Sequence, residues 1–178
     1  MTHKDHVELL KKAVPENSGG VWADIGSGDG AFTLALRDLA GPEVEIFSVE
    51  RDRGRLESQK RNFQHEFPGT SIHFMRTGVE DILILPPLDG LIMANSLHYF
   101  EHKEQILNKI LRWVKSNGKF ILVEYNSDQS NSWVPFPISF RTFEDFAPHV
   151  GLSEPRLISS VSSIFMQEIY SALTIKRE

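Results

Sequence analysis

The sequence predicts an α/β fold: a doubly wound, mostly parallel seven-stranded sheet with helices on both faces and a C-terminal antiparallel β-hairpin. Three observations carry this. Short apolar runs alternate with amphipathic stretches as far as Tyr125, the pattern of right-handed βαβ units whose strands are buried on both faces. A glycine-rich turn, Gly26-Ser27-Gly28-Asp29-Gly30, sits where the first run gives way to the first sheet-covering helix. Two strand-like runs near the C-terminus are joined by a link too short for a helical crossover, so they must pair antiparallel.

In chain order, a first helix is expected over His3 to Ala13, with Val7, Leu10 and Val14 on one side and Pro15 after it. Gly20 to Ile25 reads as a buried strand stopped by the glycines. Ala31 to Ala40 places Phe32, Ala35, Leu36 and Leu39 at helical spacing, and Gly41-Pro42 ends it. Val44 to Val49 is the next strand, Arg51 to Phe67 the next helix, and Ile72 to Met75 a short strand. Leu88 to Ala94 is nearly continuous apolar strand. Residues 103–115 put Ile106, Leu107, Ile110, Leu111 and Val114 on one helix face, with Gly118 as cap and Lys119 to Tyr125 as the fifth strand. A short helix over 142–149 precedes the hairpin, Arg156 to Val161 and Glu168 to Lys176, turning near Ser162 to Met166.

With 178 residues the chain has room for one domain. It divides into an N-terminal helix and lead-in (1–18), a βα core (20–125), and a loop, short helix and hairpin (126–178). There are 19 Lys+Arg against 24 Asp+Glu, a net charge of −5, which argues against sequence-independent nucleic-acid binding. Cysteine is absent, excluding disulfides, thiolate metal sites and a Cys nucleophile together. The charged N-terminus is no signal peptide, and no apolar run approaches the ~18 residues of a membrane span. A cytoplasmic protein, monomer or homodimer, without membrane or nucleic-acid partners, is the expectation.

The glycine turn lets a ligand approach the backbone, and the helix start after it offers amide donors to an anion. Gly26-Ser-Gly28-Asp-Gly30-Ala31 satisfies the dinucleotide pattern G-x-G-x-x-(G/A) and equally D-x-G-x-G-x-G, which includes Asp24. A carboxylate at Asp24 would repel a pyrophosphate. It suits a ligand that carries an ammonium beside its carboxylate, as the methionine end of S-adenosylmethionine (SAM) does.

On these residues the chain resembles the class I, Rossmann-like SAM-dependent methyltransferases. Val21-Trp-Ala-Asp-Ile-Gly-Ser-Gly-Asp-Gly30 resembles their first motif, and Glu50 ends the second strand where an acid takes the ribose hydroxyls. Thr77-Gly-Val-Glu-Asp81 stands where the family binds the adenine edge. Here Gly78 replaces the usual Asp, leaving the Val79 amide or the carboxylates of Glu80 and Asp81 for that task. Asp89 to Phe100 resembles the fourth motif and Lys115 to Glu124 the turn into strand five. The likeness spans roughly residues 20–178 and includes the terminal hairpin.

The resemblance implies SAM as cofactor, held by Asp24, Gly26, Ser27, Gly28, Gly30, Glu50, Arg51, Gly78, Val79, Glu80, Asn95 and Ser96. Residues after strands four and five then face the methyl group. His98 and Tyr99 are the catalytic candidates, with His98 as base toward a hydroxyl or ammonium acceptor. The long segment Asn126 to Pro137 forms the substrate wall, with Tyr125, Trp133, Phe136 and Arg141 lining the acceptor pocket. Asn95-Ser-Leu-His differs from (Asn/Asp)-Pro-Pro-Tyr, which speaks against base-amino methylation of nucleic acid and for a small-molecule acceptor. No metal is expected: His98 and His102 lack the Glu that H-E-x-x-H needs at position 99. Two alternatives remain open, an NAD(P)-dependent oxidoreductase using the same loop and a non-catalytic SAM-binding domain.

Overall fold

The computed structural model describes residues 1–81 and 84–178. Seven strands form one sheet, β1 (Gly20–Ile25), β2 (Val44–Val49), β3 (Ser71–Met75), β4 (Leu88–Ala94), β5 (Val114–Tyr125), β6 (Arg156–Ser163) and β7 (Gln167–Ile175). Their order is β3-β2-β1-β4-β5-β7-β6. β1 to β5 pair in parallel, and β7 runs antiparallel to both β5 and β6. Strand order reverses between β1 and β4, so the C-terminal ends of these two strands open a crevice.

Adjacent β1 residues serve opposite faces, as strand alternation requires. Trp22 joins Leu9, Leu10, Phe32 and Leu36 from α1 (His3–Leu10) and α2 (Ala31–Ala40). Ala23 joins Leu107, Ile110 and Phe143 from α4 (Lys103–Leu111) and α5 (Phe140–Phe146). The Trp22 ring lies over Gly90 of β4, where a Cβ would overlap it. α3 (Arg53–Glu66) buries Leu56 and Phe63, the latter edge-on to Phe74.

Several boundaries differ from the sequence expectation. α3 begins two residues late because Asp52 is its cap, accepting a bond from the Arg55 amide at 2.8 Å. α4 ends at Leu111 rather than 115 because the Trp113 carbonyl accepts the Leu88 amide at 2.8 Å and Val114 pairs with Leu88. β5 therefore starts early, and Gly118 lies inside the strand beside a register shift instead of capping the helix. α1 stops at Leu10 and packs on α2. Phe140–Phe146 is helical before a short 3-10 turn at Ala147–Val150, where a single helix over 142–149 was expected.

Candidate functional site

The crevice at the strand-order reversal holds a cavity of about 520 Å³. Its wall is built from the ends of four parallel strands and the turns that follow them: Ile25 and Gly26 at β1, Val49 to Asp52 at β2, Thr77 to Glu80 after β3, and Met93, Asn95 and Ser96 with Tyr99 and Phe100 at β4. Of the cofactor residues expected from sequence, Gly26, Glu50, Arg51, Gly78, Val79, Glu80, Asn95 and Ser96 line it. Asp24, Ser27, Gly28 and Gly30 do not; they form the layer behind the wall.

That layer is a hydrogen-bonded frame. Ser48 donates its hydroxyl to Ser27 Oγ at 2.7 Å. Gln59, fully buried on α3, donates from Nε2 to Ser27 Oγ at 3.0 Å and to the Gly28 carbonyl at 3.2 Å. Its side chain fills the space a Cβ on Gly30 would need, and Gly30 has φ +85°; here glycine is required twice over. Gly26 is similarly confined, with Ser96 Cβ 2.7 Å from where its own Cβ would stand. Gln59 carried no motif in the sequence. Its only signal was a polar residue at a core-facing position of α3.

Glu50 is buried and closes the frame from β2. One carboxylate oxygen accepts the Gly28 amide and the other the Asp52 amide, both at 2.8 Å. Each oxygen keeps further acceptor capacity, and Glu50 lines the cavity.

Asp24 is 1% exposed. Thr33 of α2 donates to its Oδ2 at 2.6 Å, while Oδ1 has no partner. Burial pushes its carboxyl up to about 7, against the Thr33 bond and with help from the nearby Glu50 charge. Asn95 follows β4 with φ +48°, the left-handed conformation Asn tolerates, and its Oδ1 is likewise buried and unpartnered. Two bare acceptor oxygens thus stand at the ends of the adjacent strands β1 and β4. Asn95 lines the cavity, where the ammonium end of a SAM-like ligand would supply the missing donor, and Asp24 stands in the layer behind it as the acidic group of the site.

His98 is not on the cavity wall, contrary to the expectation that it faces the acceptor. It is 2% exposed. Glu124, at the end of β5 and fully buried, accepts the His98 backbone amide at 3.2 Å and lies 2.7 Å from Nδ1. The pair holds the single 3-10 turn Leu97–Tyr99 in place. Tyr99 carries the wall instead, and the residue is 59% exposed.

The four expected substrate residues lie outside the cavity. Tyr125 stands beside His98, ring centroids 6.0 Å apart. Trp133 is 71% exposed, and Phe136 is partly exposed under the Lys103 ammonium. Arg141 is exposed on α5. The segment that bears them is an ordered crossover: Asp128 accepts the Ser139 amide and hydroxyl at 2.9 and 2.7 Å, and Val134 and Ile138 are buried. Among the described residues no cluster of three metal-ligating side chains occurs.

A family profile described as "Methyltransferase domain" matches residues 16–154, a stretch that contains every wall residue of the cavity. The chain belongs to the class I SAM-dependent methyltransferases. This methyltransferase is 24% identical over 116 residues to the ubiquinone/menaquinone biosynthesis C-methyltransferase of Pseudomonas aeruginosa. The match covers 64% of this chain and 45% of that protein, so the chain spans about half the length of that relative. Its fold is that of the YcgJ protein of Bacillus subtilis (TM-score 0.77, 15% identity, 99% and 100% of the two chains covered). A SAM-dependent methyltransferase of Aquifex aeolicus superposes with a TM-score of 0.73 at 15% identity, covering 96% and 89%. The 1,6-didemethyltoxoflavin N1-methyltransferase of Burkholderia thailandensis, solved with its substrate and S-adenosylhomocysteine, gives 0.76 at 12% identity, covering 99% and 78%. The cofactor of this group is SAM.

Proposed function

We propose that residues 1–178 act as one methyltransferase domain that moves the SAM methyl group to a small-molecule acceptor in the cytoplasm. The two bare oxygens, Asp24 Oδ1 and Asn95 Oδ1, carry this reading. When bound, SAM supplies a methyl on a sulfonium, so an acceptor lone pair forms the new bond as the S–C bond breaks and its electrons stay on sulfur.

The chain's residues bind and align. Asn95 would take the ammonium, with the Asp24 carboxylate behind it as counter-charge. Glu50 would accept both ribose hydroxyls on its remaining lone pairs, and the Gly78–Val79 backbone with Glu80 would meet the adenine edge. Tyr99 and Phe100 would border the methyl side. Alignment of this kind is worth several kcal/mol of barrier, so no side chain has to act as base. An acceptor proton can leave to water at the open mouth beside Tyr99. His98 is thereby a positioning residue for that turn, and the small-molecule assignment is supported by the net charge of −5 and the 3-10 turn in place of a Pro-Pro-Tyr motif.

Incubating the protein and methyl-labelled SAM with a total cell extract tests this. Label is expected in the small-molecule fraction. Label confined to acid-precipitated nucleic acid or protein contradicts the acceptor class, and no label at all, despite S-adenosylhomocysteine binding, favours the non-catalytic alternative.

A further inference from the structure

The turn after β3, on the adenine side of the cavity, is held from outside by another element. Lys109, in the last turn of α4, donates from its ammonium to the carbonyl oxygens of Glu80 and Asp81 at 2.5 and 2.6 Å. A lysine near a helix C-terminus ordinarily serves the last carbonyls of its own helix. This one reaches instead across 28 positions to a loop of the cavity. The loop is also closed twice on itself. The Asp81 amide donates to the Gly78 carbonyl at 3.2 Å, and the Gly78 amide donates to Asp81 Oδ2 at 2.9 Å. A Cβ on Gly78 would stand 3.1 Å from that same oxygen, so the glycine leaves room for the Asp81 carboxylate to close the turn.

Followed peptide by peptide, these bonds form one series. The Glu80 carbonyl and the Asp81 amide belong to one peptide unit, and the Gly78 carbonyl and the Val79 amide to another. The Lys109 ammonium bonds the first unit, and the amide of that unit donates to the second. The series therefore ends at the Val79 amide. Val79 lines the cavity, and among the described residues its amide donates to no acceptor. Its side chain is buried in the core that contains Leu107 and Ile110 of α4. Hydrogen bonds in series polarise one another, and a bond from a charged donor at the head is stronger than a neutral one. Both effects make the amide at the far end a better donor.

Resting on the methyltransferase reading above, we infer that Lys109 is a positioning residue for recognition of the cofactor's base: through this series it fixes and strengthens the Val79 amide as donor to a ring nitrogen of adenine. The competing role is a surface tie that only steadies α4 against the turn. Such a tie is blind to the base, and the test separates the two.

S-Adenosylhomocysteine and its 1-deaza and 3-deaza analogues, each with one ring nitrogen replaced by C–H, are titrated into the full chain and into Lys109→Met and Lys109→Arg. In the parent one analogue should bind roughly tenfold more weakly than S-adenosylhomocysteine, the size of one hydrogen bond left unmade. Lys109→Met should weaken S-adenosylhomocysteine roughly three- to tenfold and leave that analogue nearly unchanged, so that the penalty for the missing nitrogen shrinks. Lys109→Arg should restore it. The penalty is a ratio of two affinities measured on the same variant, so partial unfolding does not imitate the effect. Equal weakening of S-adenosylhomocysteine and both analogues by Lys109→Met, no weakening at all, or a parent that binds both analogues as tightly as S-adenosylhomocysteine overturns the inference. Binding of S-adenosylhomocysteine to the parent is measured first, and its failure would count against the methyltransferase reading rather than the role of Lys109.

Discussion

Asp24 carries a buried carboxyl with one oxygen bonded by Thr33 and the other bare. Because its folded pKa of about 7 lies above the ordinary value of 3.8, the folded protein holds a proton there that the unfolded chain releases. Its contribution to stability is thus full below pH 3.8 and declines as pH rises toward 7. A ligand ammonium reverses the preference, since it favours the ionised form. Affinity for S-adenosylhomocysteine should therefore rise with pH up to about 7, by about tenfold per unit at most, and level off above. Calorimetry at pH 6 and 8 checks this; Asp24→Asn should flatten the dependence and gain stability at pH 8 relative to the parent. An affinity in the parent that ignores pH would show that Asp24 does not sense the ligand's charge. The sequence disclosed Asp24 through its place before the glycines. It could not disclose that Thr33 closes behind it, because that contact depends on how α2 packs on β1.

At the scale of elements, the bond between the end of β5 and the turn after β4 matters most for the methyl side. Glu124 and His98 are both buried, and Glu124 takes two bonds from that one residue. Removing either side chain leaves the other without its side-chain partner in the interior, at about 1–3 kcal/mol. Glu124→Ala and His98→Ala should each cost that order in denaturant unfolding, while the double variant costs clearly less than their sum. Additive losses would mean the two side chains do not depend on each other. His98 stood out in the sequence as a polar ring just after strand four, which suggested a base. Its orientation was set by Glu124, 26 positions away, and spacing along the chain carries no trace of such a pairing. The same holds for β5, whose early start at Val114 follows from pairing with Leu88 and overrode the helical pattern of residues 103–115.

Across the whole molecule, the alternation of apolar runs and amphipathic stretches was enough to read the strand and helix sequence, since parallel strands buried on both faces leave a strong period-free apolar signature. β1, α2, β2 and β4 fall on their expected residues. Eight of the twelve cofactor residues expected from motifs line the cavity, because motifs follow strand ends and strand ends meet at the order reversal. The acceptor side was less legible: Trp133, Phe136 and Arg141 belong to a crossover whose direction is fixed by Asp128 bonds, not by any local pattern. The central claim is that this crevice is a SAM site with Glu50 as its ribose acceptor. The direct measurement is calorimetry of the parent and Glu50→Ala with S-adenosylhomocysteine and with NAD. Two charge-assisted bonds lost, each about 1.5–3 kcal/mol, predict one-to-one binding of S-adenosylhomocysteine by the parent, at least tenfold weaker binding by the folded variant, and no heat with NAD. Tight NAD binding, or equal affinity of parent and variant for S-adenosylhomocysteine, would contradict it.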